Sequence, residues 1–337
     1  MASVKEFKKL LTENKLPSHD YLFDLSEAVS TLLEEEKTAY RMPSEKDFVG
    51  GLLDFQKDNI PLVVVPDMHG RREFLLNIIN YHLPENFCGK KISIINALEK
   101  GLIRLIFVGD ILHTERNTKD RWKKAQEDYQ KGIFDGNDMK DEMIDSLGVW
   151  CGVFLLKKMF PKYCHILKGN HENILNVTKN GDYSFKKYAN EGAMVKAFME
   201  EYYGDDILYL IHCVEKTLPL VVISKYCVIS HAEPIRGYTK EELVNGIGKA
   251  EVVEGLIWTN NGDAKEGSVS EVIRNISDKQ DVSDIMYLGG HRCVSDNYKV
   301  RQNGVYVQIH NPAKQNVCLI YNNRKFDPDQ DIVGVQK

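Results

Sequence analysis

Five short apolar runs in this chain end in side chains that can bind a metal ion or move a proton. Leu62-Val63-Val64-Val65 leads into Pro66-Asp67-Met68-His69-Gly70, and Leu105-Ile106-Phe107-Val108 into Gly109-Asp110. Cys164-His165-Ile166-Leu167 runs into Lys168-Gly169-Asn170-His171-Glu172. Two later runs end at Ser230-His231 and Gly289-Gly290-His291. Asp67, His69, Asp110, Asn170, His231 and His291 offer carboxylate, amide and imidazole donors without thiolate. Such a set suits manganese, iron or zinc, whereas calcium wants oxygens only and structural zinc usually wants sulfur. Six donors are too many for one catalytic ion with an open position. They suffice for two ions that share a carboxylate, and Asp110 is the natural bridge. Two ions roughly 3.5–4 Å apart stabilise both the attacking and the leaving oxygen of an in-line displacement. The chemistry expected is hydrolysis of a phosphate ester.

The runs are rich in β-branched residues and do not alternate with polar ones, the pattern of strands buried on both faces. Similar runs occur at Leu220–Ile223, Val305–Ile309 and Val317–Ile320. Long helical patterns such as Met143 to Phe160 separate the early runs, which argues for βαβ units, while the closely spaced late runs suggest antiparallel pairing. The expected fold is α/β, a four-layer α/β/β/α sandwich of two mixed sheets flanked by helices. In such sheets ligands collect beyond the carboxyl ends of strands, so the five motifs can meet in one crevice.

Residues 1–58 read as an N-terminal helical extension of three helices, the third around Phe48 to Phe55, with the catalytic domain spanning 59–337. Residues 114–146 are a heavily charged insertion, read as a solvated helix and loop. The 337 residues are 43% hydrophobic and 28% charged, which excludes a disordered or fibrous chain. A net charge of −5 provides no global field for nucleic acid or anionic lipid. No stretch approaches the roughly 20 apolar residues of a membrane span, and the N-terminus lacks the apolar core of a secretory signal. Seven cysteines, scattered without a C-x-x-C pair, suit a reducing compartment. A cytoplasmic protein is expected.

The series Asp-x-His-Gly, Gly-Asp, Gly-Asn-His-Glu, His and Gly-Gly-His resembles the calcineurin-like metallophosphoesterases, most of all the phosphoprotein phosphatase branch of serine/threonine phosphatases. The resemblance spans Pro61 to Ile320. It implies two metal ions, manganese first with iron or zinc as alternatives. Asp67 and His69 would hold the first ion, Asp110 would bridge, and Asn170, His231 and His291 would hold the second. It also implies attack by a metal-bridging hydroxide, with His171 as the general acid that protonates the leaving oxygen.

Where the family pattern reads Gly-Asp-x-x-Asp-Arg-Gly, this chain has Gly109-Asp110-Ile111-Leu112-His113-Thr114-Glu115. His113 stands where an aspartate orients the catalytic histidine, and Thr114 where an arginine grips the phosphate. Pro66 replaces the first glycine of the first motif, and His231-Ala232-Glu233-Pro234 alters another. Ile257-Trp258-Thr259-Asn260 echoes the family's Trp-Ser-Asp. Arg71 and Arg292, which directly follow metal motifs, are the expected phosphate-binding arginines beside Asn170, because a guanidinium suits a phosphate. His310 ends the Val305–Ile309 run, where it can approach the site, but it is not expected to coordinate metal. The expected substrate is a phosphorylated protein, at phosphoserine or phosphothreonine, or a small phosphate ester. Alternatives are dinucleoside polyphosphates or phosphodiesters as substrates, or a non-catalytic binding protein on the same fold.

Overall fold

Val63 and Val65 point to one side of their strand and Leu62 and Val64 to the other, and both sides are closed by apolar side chains. That is why the run shows no alternation. The computed structural model describes residues 4–36, 38–45 and 48–336. Its strands are β1 (Arg41–Pro43), β2 (Val49–Asp54), β3 (Leu62–Val65), β4 (His82–Leu83), β5 (Ile92–Ser93), β6 (Arg104–Phe107), β7 (Cys164–Ile166), β8 (Val221–Ile223), β9 (Cys227–Ser230), β10 (Met286–Gly289), β11 (Lys299–Arg301), β12 (Tyr306–Gln308), β13 (Asn316–Ile320) and β14 (Ile332–Gly334). One sheet runs β1-β2-β8-β9-β10-β12-β11 and the other β14-β13-β3-β6-β7, with β4 and β5 as a separate ribbon. Both large sheets are mixed: β3, β6 and β7 are parallel with β13 antiparallel to β3, while β9, β10 and β12 are parallel with β11 antiparallel to β12.

Between the sheets, Val64, Ile106 and Leu167 pack with Val222, Ile229, Leu288 and Val307. Outside the five-stranded sheet, Val63, Val65, Leu105 and Phe107 share a core with Leu22 and Val29 of helix His19–Glu34 and Trp150 and Val153 of helix Asn137–Met159. Outside the other sheet, Val221, Val228 and Tyr287 pack with helices Lys240–Val244, Ala250–Ile257 and Ser268–Ile276. The result is the expected four-layer α/β/β/α sandwich.

Two expectations are corrected. The helix placed at Phe48 to Phe55 is instead strand β2, which pairs in parallel with β8 inside the seven-stranded sheet. Leu52 and Leu53 face opposite sides and enter different cores. Gly50 and Gly51 permit the close approach, since a Cβ there would lie 2.1 Å from the Met42 carbonyl oxygen and 2.5 Å from that of Leu243. A boundary at residue 58 therefore cuts through a sheet, and residues from Val49 onward belong to the sandwich. The charged stretch 114–146 is not merely solvated either. Helix Lys119–Gln130 buries Trp122 and Ala125, and the start of the next helix buries Glu142 and Ser146. Among the described residues no helix is long and apolar enough to cross a membrane.

Candidate metal centre

The carboxyl ends of β3, β6 and β7 from one sheet meet those of β9 and β10 from the other. Asp67 and His69 follow β3, Asp110 follows β6, Asn170 and His171 follow β7, and His231 and His291 follow β9 and β10. The turns that carry them are tight. His69 (φ 43°), Asp110 (φ 51°), His113 (φ 65°) and His291 (φ 62°) all adopt left-handed backbone. Such conformations cost of order 1–3 kcal/mol each and persist only where surrounding structure enforces them. Gly290 is required at its position, because a Cβ would fall 1.8 Å from Asp67 Oδ1.

Asp110 lies at the middle. Its Oδ2 is 3.4 Å from His231 Nε2, and 3.7 Å from both His69 Nε2 and His171 Nε2. On one side, Asp67 Oδ2 is 3.9 Å from His69 Nε2. On the other, Asn170 Oδ1 is 2.9 Å from His231 Nε2 and 2.8 Å from His291 Nδ1. A cation with bonds of about 2.1 Å holds its ligands roughly 3–4 Å apart according to the angle between them, so the separations around Asp110 and Asp67 fit metal-binding shells, while the two contacts of Asn170 are at hydrogen-bond distance. Asp67 Oδ1 and His69 Nε2 are buried without a protein hydrogen-bond partner. Buried polar atoms are seldom left so, and a metal ion accounts for both. The six residues thus fit the group that their chemistry implied.

The supporting shell points the same way. The His69 Nδ1–H donates to the His113 carbonyl at 2.9 Å, and the His231 Nδ1–H to the Val108 carbonyl at 3.0 Å. Each ring thereby turns Nε2 inward, the arrangement typical of metal-ligating histidines. Glu172 accepts from the N–H groups of Gly169, Asp110 and Ile111, each at 2.8 Å, and so ties the β7 turn to the β6 turn. Burial disfavours a charged His231, yet Asp110 outweighs it and lifts the ring to about 9. Asp110 itself is held well below the usual carboxylate range: burial opposes this, but His171, His231 and His69 prevail.

His171 sits beside the donors. Its Nδ1 is 2.9 Å from His113 Nδ1, and the Phe185 ring lies 3.7 Å from its own, centroid to centroid. Burial pushes both histidines down, His113 to about 3, with His69 adding to the effect. The expected arginines are differently employed. The Arg71 guanidinium is bound to the carbonyls of Met68, Asp67 and Lys314 and stacks on Phe74. Arg292 is exposed at the rim and donates to Asn260. Trp258, in the same short motif, lies edge-on to His291 at 6.4 Å. The Thr114 hydroxyl is bound to Glu142 and receives Arg121 Nη2 at 2.8 Å.

Two neighbours lie outside the expected set of ligands. His310 follows β12, is fully buried, and presents an unpartnered Nδ1 3.8 Å from Asp67 Oδ2. Its place at the end of an apolar run, shared with every other donor, is what brings it to the site. Burial opposes its charge, but Asp67 and its other neighbours raise it to about 10. Glu115 lies with Oε1 3.6 Å from His69 Nε2 and Oε2 3.5 Å from His310 Nε2. No sequence pattern marked it.

No protein-family model matches this chain, and no curated protein matches it in sequence. Solved structures do. A protein serine/threonine phosphatase from Saccharomyces cerevisiae, described as similar to human phosphatase PP5, superposes with a TM-score of 0.58 at 13% identity, over 98% of this chain and 95% of that one. The chain has the serine/threonine phosphatase fold. A cold-active protein-tyrosine phosphatase of Shewanella covers 85% of the chain at 13% identity and a TM-score of 0.45, too loose to add to this. The match covers 98% of the chain, more than the Pro61 to Ile320 stretch that carries the sequence resemblance.

Proposed function

We propose that this protein is a metal-dependent phosphoesterase acting on phosphate monoesters, with phosphoserine and phosphothreonine in proteins as the favoured substrates. The observation that carries the reading is the central position of Asp110 between the Asp67–His69 pair and the Asn170–His231–His291 group. Asp67 and His69 would hold one ion, Asn170, His231 and His291 the other, and Asp110 both. When bound, the ions supply electrophilic pull on the phosphate oxygens and lower the pKa of water. Manganese, iron and zinc all suit these donors.

The chain's own contribution is orientation and proton supply. The His113 and Val108 carbonyls fix the tautomers of His69 and His231. His171 keeps Nε2 on the Asp110 side of its ring, where it can deliver a proton to the leaving oxygen, while His113 holds Nδ1. General acid catalysis of this kind contributes roughly 10²–10⁴-fold. Phe185 covers the ring and excludes water from one face.

Assay of manganese-loaded protein on a phosphopeptide, a dinucleoside tetraphosphate and a bis-aryl phosphodiester tests the reading. Fastest turnover of the phosphopeptide is expected. Preference for the tetraphosphate or the diester would replace the substrate class, and ordered metal with no ester hydrolysed would leave a binding protein.

A further inference from the structure

The phosphatase pattern has an arginine where this chain has Thr114, and three arginines near the site are bound elsewhere. Arg71 is consumed by backbone carbonyls, Arg121 by Glu142 and Asp145, and Arg292 by Asn260 at the rim. A different cation reaches the donors. Lys187 comes from the stretch between β7 and helix Glu191–Tyr202, two residues beyond the Phe185 that covers His171. Its Nζ lies 2.6 Å from Glu115 Oε1, and that oxygen is 3.6 Å from His69 Nε2. The Lys187 side chain is 35% exposed and that of Glu115 only 9%, so the ammonium enters from solvent toward an enclosed carboxylate.

That carboxylate has unusual company. His69, His171 and His310 surround it, with the Cys293 thiol 3.8 Å from Oε2 and Lys187 on the solvent side. A slot lined by three imidazoles and an ammonium, adjoining the donors of Asp67 and Asp110, is a slot for an anion. We propose that Lys187 is the phosphate-binding cation of this site, and that Glu115 is an internal anion that holds it in place until the substrate's phosphate takes over the slot. The inference rests on the phosphoesterase reading and adds to it. A dianionic terminal phosphate competes with a carboxylate for this position better than a monoanionic diester, because it carries the larger charge and more acceptor oxygens. Lysine binds phosphate as a point charge, so it can swing from Glu115 to the ligand without the fixed fork geometry an arginine demands.

The test is inorganic phosphate binding to manganese-loaded protein by titration calorimetry, with metal content measured on the same samples. Lys187→Ala is expected to weaken phosphate at least about tenfold with two metal ions retained, and Lys187→Arg to recover most of the loss. Glu115→Gln, which keeps the shape and removes the competing charge, is expected to tighten phosphate several-fold. Unchanged phosphate affinity in Lys187→Ala would overturn the proposal. Loss of metal from Glu115→Gln would also overturn it, because Glu115 would then be a ligand rather than a competitor. Should the unaltered protein bind neither manganese nor phosphate, the phosphoesterase reading itself falls, an outcome distinct from either. Thermal unfolding of each variant, together with the arginine rescue, separates a local effect from a failure to fold.

Discussion

His113 Nδ1 lies 2.9 Å from His171 Nδ1, so two imidazoles face each other where the phosphatase pattern pairs an aspartate with a histidine. One nitrogen must donate and the other accept. With His113 pushed down to about 3 by burial and by His69, it remains neutral near pH 7 and serves as an acceptor without charge. A carboxylate would stabilise a charged His171; a neutral imidazole does so far less. The expected consequence is a weakly held proton on His171. Replacing His113 with Asp should raise the pH at which alkyl phosphate turnover falls off by about one unit or more, since an opposing charge nearby favours the protonated ring. The pH profile of kcat/KM measures this, and an unmoved basic limb would contradict it.

Loss of the acid itself has a sharper signature. His171→Ala should slow alkyl phosphates by roughly 10²–10⁴-fold and barely affect an aryl phosphate whose leaving group needs no proton. Equal losses on both substrates would show that His171 does something else.

Gly290→Ala tests the metal centre without removing a donor. Its Cβ would fall 1.8 Å from Asp67 Oδ1, so the carboxylate must move away from its present position. Metal affinity is expected to drop by about 10–100-fold, the usual effect of disturbing the support of a ligand. Calorimetry reads it directly, and wild-type affinity would place Asp67 outside the centre.

Metal loading should release protons. In the metal-free protein Asp110 holds His231 at about 9 against burial. A ring nitrogen must shed its proton before it can bind a metal. Apparent affinity should therefore rise between pH 7 and 9, by up to about tenfold per unit for each proton displaced. The stability of the metal-free protein runs the other way. A raised histidine pKa contributes stability fully below about 6.5, and that contribution is lost as pH rises through 9. Calorimetry in buffers of different ionisation heat counts the protons, and a count of zero would refute the expectation.

Glu36 offers a stability prediction remote from the site. It is buried with its carboxylate 2.7 Å from Arg41 Nη1, 2.5 Å from Lys157 Nζ and 3.0 Å from His165 Nδ1. Glu36→Ala leaves Arg41 and Lys157 buried without their counter-charge, which costs about 3–5 kcal/mol. Chemical denaturation measures it, and a loss below about 1 kcal/mol would show that water enters to compensate.

The amino-acid sequence alone determined the buried strands, the layers around them and the donors at their ends. A strand closed on both faces must be apolar throughout, as Leu62–Val65 is, and a polar residue directly after it must lie at the sheet's edge. The same logic failed at Val49–Asp54, because Gly50 and Gly51 hide their reason in a close approach to Met42 and Leu243 that only folding creates. Tertiary structure alone decided what surrounds the donors. Arg71 follows a metal motif yet turns to backbone carbonyls, whereas Glu115, five residues after Asp110, meets Lys187 and His310 from distant segments. Spacing along the chain reports a strand's period and its end. Which long side chain reaches which neighbour depends on left-handed turns at His69, Asp110, His113 and His291, and the packed fold enforces these conformations against local preference.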